Sequence, residues 1–238
     1  LISADMIEVM MTELDLQTFR KYYTACGVDP VENMTVLSCQ ESERGELPVY
    51  VRNVLNKHYQ KKEKLKRTGY KDTMEYVIAK ARVNTCYGDL VKRLRLQRTL
   101  FDNEHGWYDD PAKLDYDKEI RKNILSPYWG IWCTSWCRFT ILGMIYKLTK
   151  AGVKVLYCDT DSIKGVGDHA EDFEEKNVEL RRIAEECGAF AEDKNGNVYH
   201  LGVWECETSE HLYDEFKTLG AKKYVYRQGE KIKSTIAG

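Results

Sequence analysis

The stretch Val153 to Val166 constrains the fold of this chain most. An apolar run, Val153-Lys154-Val155-Leu156-Tyr157-Cys158, is cut by Asp159-Thr160 and resumes as Ser162-Ile163-Lys164-Gly165-Val166. Runs this short, rich in β-branched and aromatic side chains, suit strands, and the tight link makes them an antiparallel pair. Helical periodicity surrounds them. Tyr50 to Arg67 carries the stripe Val51, Val54, Leu55 and Tyr59, and a second helix runs from Asp72 to Tyr87. The Thr68-Gly69-Tyr70 break between the two predicts an antiparallel helical hairpin. Trp129 to Lys150 reads as a long helix, and Asp168 to Gly188 as an acidic one with Phe173, Val178, Leu180 and Ile183 on its buried stripe. Residues 3–23 read as a short strand-turn followed by an amphipathic helix, with Asp5 as its cap and Ile7, Met10, Met11 and Leu14 behind it. Gly27, Pro30, Gly45 and Pro48 break up the segment that follows. Leu100-Phe101 and Trp107-Tyr108 flank Asp102-Asn103-Glu104-His105-Gly106 as a further hairpin, and Asn195-Gly196 marks another. Tyr199 to Glu207 and Lys222 to Arg227 read as strands. Helices and antiparallel strands mix without regular βαβ alternation, so the class is α+β.

Length and composition narrow the functions. The 238 residues, 43% hydrophobic and 31% charged, can bury a core as one large domain or two small ones, which excludes a disordered or collagen-like chain. No apolar run reaches the length of a membrane span, and Leu1-Ile2-Ser3-Ala4-Asp5 lacks the basic start of a signal peptide. The eight cysteines form no CxxC pair and the five histidines do not cluster with them, which argues against a zinc ribbon and for reduced, cytoplasmic thiols. The net charge of −2 hides a segregation. Between Arg52 and Arg98, fourteen Lys and Arg face four acids; between Asp168 and Asp193, ten acids face three bases. The basic segment can hold a polyanion whatever the total charge; the alternative is a solvated helix face.

Two groups of residues carry chemistry. Asp159 and Asp161 sit at the end of an apolar strand, where like charges are costly unless a cation joins them. Oxygen-only ligands favour magnesium or manganese, and two such ions about 3.5–4 Å apart can activate a hydroxyl and stabilise a leaving phosphate. The plain alternative is an Asp-rich turn with no metal. Lys80, Asn84 and Tyr87 lie at i, i+4 and i+7 and share a helix face, which offers a cation, an amide and an aromatic plane to a triphosphate, a sugar and a base. Gly88 lets another chain approach or caps that helix. The alternative is an ordinary amphipathic helix end with Tyr87 in the core.

Together these segments resemble motifs of the family B DNA polymerases. Tyr157-Cys158-Asp159-Thr160-Asp161-Ser162 is similar to the YxDTDS motif of the palm, and Lys80 to Gly88, with Thr85 in place of the usual Ser, to the KxxxNSxYG motif of the fingers. Ser126-Pro127-Tyr128-Trp129-Gly130 with Trp136-Cys137-Arg138-Phe139-Thr140, Leu201-Gly202-Val203-Trp204 with Glu207, and Lys222-Lys223-Tyr224 as a KxY motif resemble the protein-primed branch of phages and mobile elements.

The resemblance implies an antiparallel palm sheet with packed helices plus a helical-hairpin fingers element. Residues 1–49 would flank the palm, 50–88 form the fingers hairpin, 89–126 a hairpin insertion linked to strand displacement, and 127–238 a partial palm without the thumb. It implies Asp161 as the main metal ligand with Asp159 as its partner, Lys80 on the incoming triphosphate, and Asn84 and Tyr87 along the nascent base pair. Gly88 would lie against DNA, and Lys222 and Tyr224 would grip the primer. The implied partners are primer-template DNA, a dNTP and a terminal priming protein, with no membrane, in the cytoplasm of a bacterial host. A DxxSLYP segment with the other catalytic Asp, and the exonuclease carboxylates, have no counterpart in the sequence. The expectation is therefore a piece of a larger polymerase, inactive when isolated. Two other classes fit parts of the pattern: a glycosyltransferase, whose DxD also binds a metal and a nucleotide diphosphate, and a remnant that only binds nucleic acid.

Overall fold

The computed structural model describes residues 8–23, 34–43, 45–90, 99–109, 127–206 and 212–236. In chain order the elements are α1 (Glu13–Thr18), continued by a π-helical turn over Phe19–Tyr23; α2 (Val49–Arg67); α3 (Met74–Leu90); β1 (Thr99–Asp102) and β2 (Gly106–Asp109); α4 (Pro127–Lys150); β3 (Val155–Asp159) and β4 (Ser162–Gly165); α5 (Ala170–Glu186); β5 (Phe190–Glu192) and β6 (Val198–His200); and β7 (Glu215–Gly220), β8 (Lys223–Gln228) and β9 (Lys231–Ile236). The class is α+β. Among the described residues the strands form four small antiparallel sheets, β1-β2, β3-β4, β5-β6 and β7-β8-β9, each pairing sequence neighbours. The chain divides into two units, Leu1–Asn56 with Ser135–Gly238, and Lys57–Thr134.

In the unit Lys57–Thr134 the chain reverses between α2 and α3. The Tyr70 N–H donates to the Leu65 carbonyl, and Lys61 Nζ reaches Glu75 Oε1 at 2.8 Å, which ties the two helices across the turn as the short link predicts. α3 turns Tyr76, Ala79, Val83 and Cys86 inward at spacings of three and four, and Ala79 is 2% exposed. The β1-β2 hairpin also forms where expected. The Asp102 carboxylate accepts the N–H groups of Glu104 and His105, and Gly106 supplies the positive φ that closes the turn. The remainder of the expected insertion, residues 91–98 and 110–126, lies outside the described residues.

The other unit is organised on α4. Met144, Leu148 and Val153 form a buried cluster, against which Val155 and Ile163 of the β3-β4 hairpin, Phe173 of α5 and Trp204 pack. Three expectations change here. First, the N-terminal helix is capped by Thr12. Its side chain accepts the Asp15 N–H, and the Asp15 carboxylate accepts the Thr12 N–H, so one reciprocal pair satisfies two orphan donors. Residues 8–12, including Met10 and Met11, are not helical, and Asp5 and Ile7 lie outside the described residues.

Second, the inward line of α5 is Phe173, Asn177, Leu180 and Ala184, while Val178 is 61% exposed. Asn177 replaces an apolar residue because its amide clamps a backbone. Its Nδ2 donates to the Trp204 carbonyl at 2.9 Å, and its Oδ1 accepts the Trp204 N–H at 2.8 Å. Third, the strand expected over Tyr199–Glu207 stops at His200. Leu201 and Gly202 turn, with φ +88° at Gly202, and the Trp204 amide spends its bonds on Asn177 instead of a ladder. Glu207 is outside the described residues.

The Asn195-Gly196 turn joins β5 to β6 as predicted, and Asp193 organises it. Its carboxylate accepts from Asn197 Nδ2, the N–H groups of Asn197 and Asn195, and the Tyr199 hydroxyl, at 2.8–3.1 Å. The Asn197 side chain and backbone lead in holding it down at about 2. A carboxylate depressed on folding stabilises the fold above its unfolded value, and that contribution fades as pH falls through the folded one. The turn is therefore expected to lose this support between about pH 4 and about pH 2. An NMR titration of the Asp193 carboxyl carbon should show a midpoint near the lower figure; a midpoint near the upper one would mean that these bonds are absent in solution.

Candidate functional site

The carboxylate turn is built by strand alternation. Along β3 the side chains of Val155, Tyr157 and Asp159 face inward and those of Leu156 and Cys158 outward, so Tyr157 and Asp159 share a face. Asp159 closes the strand opposite Ser162, and the two-residue loop is Thr160-Asp161, one residue later than the expected Asp159-Thr160. Thr160 sits at φ +50°, a left-handed position that a β-branched residue occupies at a cost. Local bonds hold it there. Thr160 Oγ1 donates to Asp159 Oδ1 at 3.0 Å, the Asp161 N–H donates to the Asp159 carbonyl at 2.6 Å, and Ser162 Oγ donates to the same carbonyl at 3.2 Å.

The β7-β8 hairpin brings its tip to this turn. Lys222 Nζ lies 2.7 Å from Asp159 Oδ2, although 63 residues separate the two in sequence. The Lys222 N–H donates to the Tyr157 hydroxyl at 2.8 Å, and that hydroxyl points its own hydrogen toward Asp159 Oδ2 at 3.5 Å. Lys222, at φ +58°, is the other non-glycine residue in left-handed backbone among those described. Below the tip, the rings of Tyr157, Phe216 and Tyr224 form a triangle with centroids 5.3–5.9 Å apart. Tyr224 is half-buried there and carries the hairpin against β3. The electrostatics follow. The Lys222 ammonium, then the Thr160 hydroxyl, hold the Asp159 carboxyl below its ordinary value. Asp159 in turn raises Lys222 above the usual lysine value, with a smaller contribution from the Asp161 charge.

The pair of acids supplies hard oxygen donors. Among the described residues no group of three or more His, Cys, Asp or Glu side chains is gathered to hold a metal. Magnesium, however, is commonly held by one or two carboxylates, with water and phosphate oxygens completing its shell. The chemistry of Asp159 and Asp161 fits such an ion, and the Lys222 ammonium already stands as a cation against one of them.

Lys80, Asn84, Tyr87 and Gly88 belong to the unit Lys57–Thr134, while Asp159, Asp161, Lys222 and Tyr224 belong to the other. Lys80, Asn84 and Tyr87 are all exposed on α3, as a shared outward face requires. Tyr87 is 40% exposed and so is not a core residue. The Thr134 hydroxyl gives its hydrogen to the Gly130 carbonyl, which leaves its oxygen to accept from the Tyr87 hydroxyl at 2.8 Å. Gly88 is not a helix cap. α3 continues through it to Leu90, and a Cβ built on it meets nothing within 4 Å. The residue that sequence reasoning missed is Tyr157 as the link between Asp159 and Lys222. Its i, i+2 spacing from Asp159 on a strand is the signal that places it on the same face.

Compared with protein-family models, with curated proteins and with solved structures, the chain matches none. The functional reading therefore rests on the motifs and on the geometry of the turn. The described cysteines are free thiols, and no described helix is long and apolar enough to cross a membrane.

Proposed function

We propose that this chain is part of a template-directed DNA polymerase of family B, in the protein-primed branch, and carries the fingers with part of the palm. The observation that supports it best is the meeting of Asp159 with Lys222. Two motifs that the resemblance assigns to the metal and to the primer end lie side by side, although neither motif predicts contact with the other. In this reading the primer 3′-oxygen forms a bond to the α-phosphorus of a dNTP and pyrophosphate leaves. The protein supplies position and charge. Asp161 and Asp159 hold magnesium or manganese, which when bound lowers the charge cost at the attacking and leaving oxygens. Lys80 neutralises the triphosphate, Asn84 and Tyr87 line the new base pair, and the open surface at Gly88 admits the strand. Lys222 and Tyr224 hold the primer. The partners are primer-template DNA, a dNTP and a terminal protein, in the cytoplasm of a bacterial host.

The test is extension of a labelled primer by the full-length polypeptide with magnesium. Incorporation dictated by the template supports the reading. Hydrolysis of a nucleotide sugar in its place would favour the glycosyltransferase class.

DNA affinity is expected to fall steeply with salt. Lys57, Lys61, Lys64, Lys71, Lys80 and Arg82 are exposed in the unit that holds α3. Six phosphate contacts would weaken binding about a thousandfold between about 50 and 200 mM salt. Fluorescence anisotropy with a primer-template measures this, and a flat response would remove the basic helices as the contact surface.

A further inference from the structure

In the proposed reading Lys222 binds the primer, yet in the structure its ammonium is already engaged by Asp159. The contact is specific. Lys222 Nζ lies 2.7 Å from Oδ2, the backbone N–H of the same residue is fixed by Tyr157, and the Tyr157-Phe216-Tyr224 rings hold the tip in place. Both oxygens of Asp159 are engaged, Oδ1 with Thr160 and Oδ2 with Lys222 and Tyr157. A divalent cation that binds through Oδ2 approaches the oxygen where the ammonium sits, and two cations that close repel each other, so the pair weakens as the metal arrives.

We infer that Lys222 is the resident counter-cation of the carboxylate turn, and that a divalent ion and the Lys222 ammonium occupy Asp159 in alternation. Metal arrival then releases Lys222 and loosens the β7-β8 tip from Asp159, while metal loss returns it. The carboxylate pair is never left without a positive charge, and the lysine becomes available to a primer phosphate only after the metal is in place. This inference rests on the reading of Asp159 and Asp161 as metal ligands and adds an order of events to it. The hairpin itself sets the left-handed backbone at Lys222, through the Gly220–Lys223 pairing, so the tip keeps its shape while one N–H bond to Tyr157 and one ion pair to Asp159 tie it to β3.

The experiment measures Mn2+ affinity of the purified chain by electron paramagnetic resonance, in the wild type and in Lys222→Met, Lys222→Arg, Lys217→Met and Asp161→Asn. Lys222→Met keeps the side-chain stem and removes the competing charge, so it should bind Mn2+ about fivefold tighter, the factor expected when a partly exposed ion pair no longer competes. Lys222→Arg should stay near the wild type. Lys217→Met, which removes an exposed charge on β7, should change affinity by less than about twofold. In the wild type, Mg2+ should also shift the backbone amide signals of Ala221, Lys222 and Lys223 together with those of Thr160 and Asp161. This second readout does not depend on any variant folding. Unchanged or weaker Mn2+ binding by Lys222→Met, or Mg2+ shifts confined to Thr160 and Asp161, overturns the alternation. If Asp161→Asn still abolishes binding in that case, the metal-ligand reading stands without it. If no variant and no wild-type chain binds Mn2+, both fall together.

Discussion

Asp161→Asn in the full-length polypeptide is expected to lower nucleotide addition by about a thousandfold or more while DNA affinity changes by less than about twofold. The substitution is nearly isosteric and removes one negative charge from a loop residue. Asp161 is exposed, and the bonds that hold the Thr160-Asp161 turn run through its backbone N–H and the side chains of Thr160 and Ser162. The hairpin therefore keeps its shape. In the proposed reading, what is lost is a hard oxygen ligand for an ion that would stabilise the transferring phosphoryl group by several kcal/mol, and each 1.36 kcal/mol of barrier is about tenfold in rate. In that reading DNA affinity is set elsewhere, by the basic surface of α2 and α3. Single-turnover primer extension measures the rate and anisotropy the affinity. Near-normal extension by the mutant would end the assignment of Asp161 as a metal ligand and leave the acids as an Asp-rich turn.

The second large effect is on stability. Asp15→Ala should destabilise the chain by about 2–3 kcal/mol, with a fall in Tm of about 5–10 °C. Asp15 is 6% exposed, the one buried acid among the described residues of its unit. Oδ2 accepts from the Thr12 N–H and hydroxyl and from Ser135 Oγ at 2.7 Å. Oδ1 accepts from Arg138 Nε at 2.9 Å, with Arg138 Nη2 at 2.8 Å. Ser135 is fully buried and loses its bond to Oδ2, and the capping box of α1 loses its reciprocal half, the Thr12 N–H to Oδ2. Burial by itself would raise this carboxyl, but the bonds from Ser135, Thr12 and Arg138 outweigh it and hold it below its ordinary value. A depressed carboxylate stabilises the fold above the unfolded value of about 3.9, and that share disappears as pH falls below it. Arg138→Ala should cost less, about 1 kcal/mol, because its guanidinium is half exposed and Ser135 and Thr12 remain on Asp15. Urea unfolding of both variants at pH 7 and pH 4 checks the ranking. Equal small effects would mean that the network is dispensable.

The helices α2, α3 and α4 were legible because each is long and periodic, or bounded by Gly and Pro. The β1-β2, β3-β4 and β5-β6 hairpins were legible because their turns contain Asp, Asn or Gly at the positions that need them. β7 and β9 were not. Lys231–Ile236 is exposed at nearly every position, so no buried face marks it, and it is a strand only because β8 offers a ladder. Asn177 was missed for the opposite reason. It occupies a core position, but its value lies in matching both backbone groups of Trp204, which no periodicity records.

By itself the sequence determined what is local: the residue types at the carboxylate turn, the shared face of Lys80, Asn84 and Tyr87, and the α+β class. These follow from spacing along one element, where geometry is fixed by the backbone. The tertiary structure alone decided which distant groups meet: Asp15 with Ser135 and Arg138, and Asp159 with Lys222. Such pairs depend on how hairpins and helices pack around Met144, Leu148 and Val153, and packing is a property of the whole apolar surface. A charge on one hairpin carries no mark of the partner that another hairpin will bring to it.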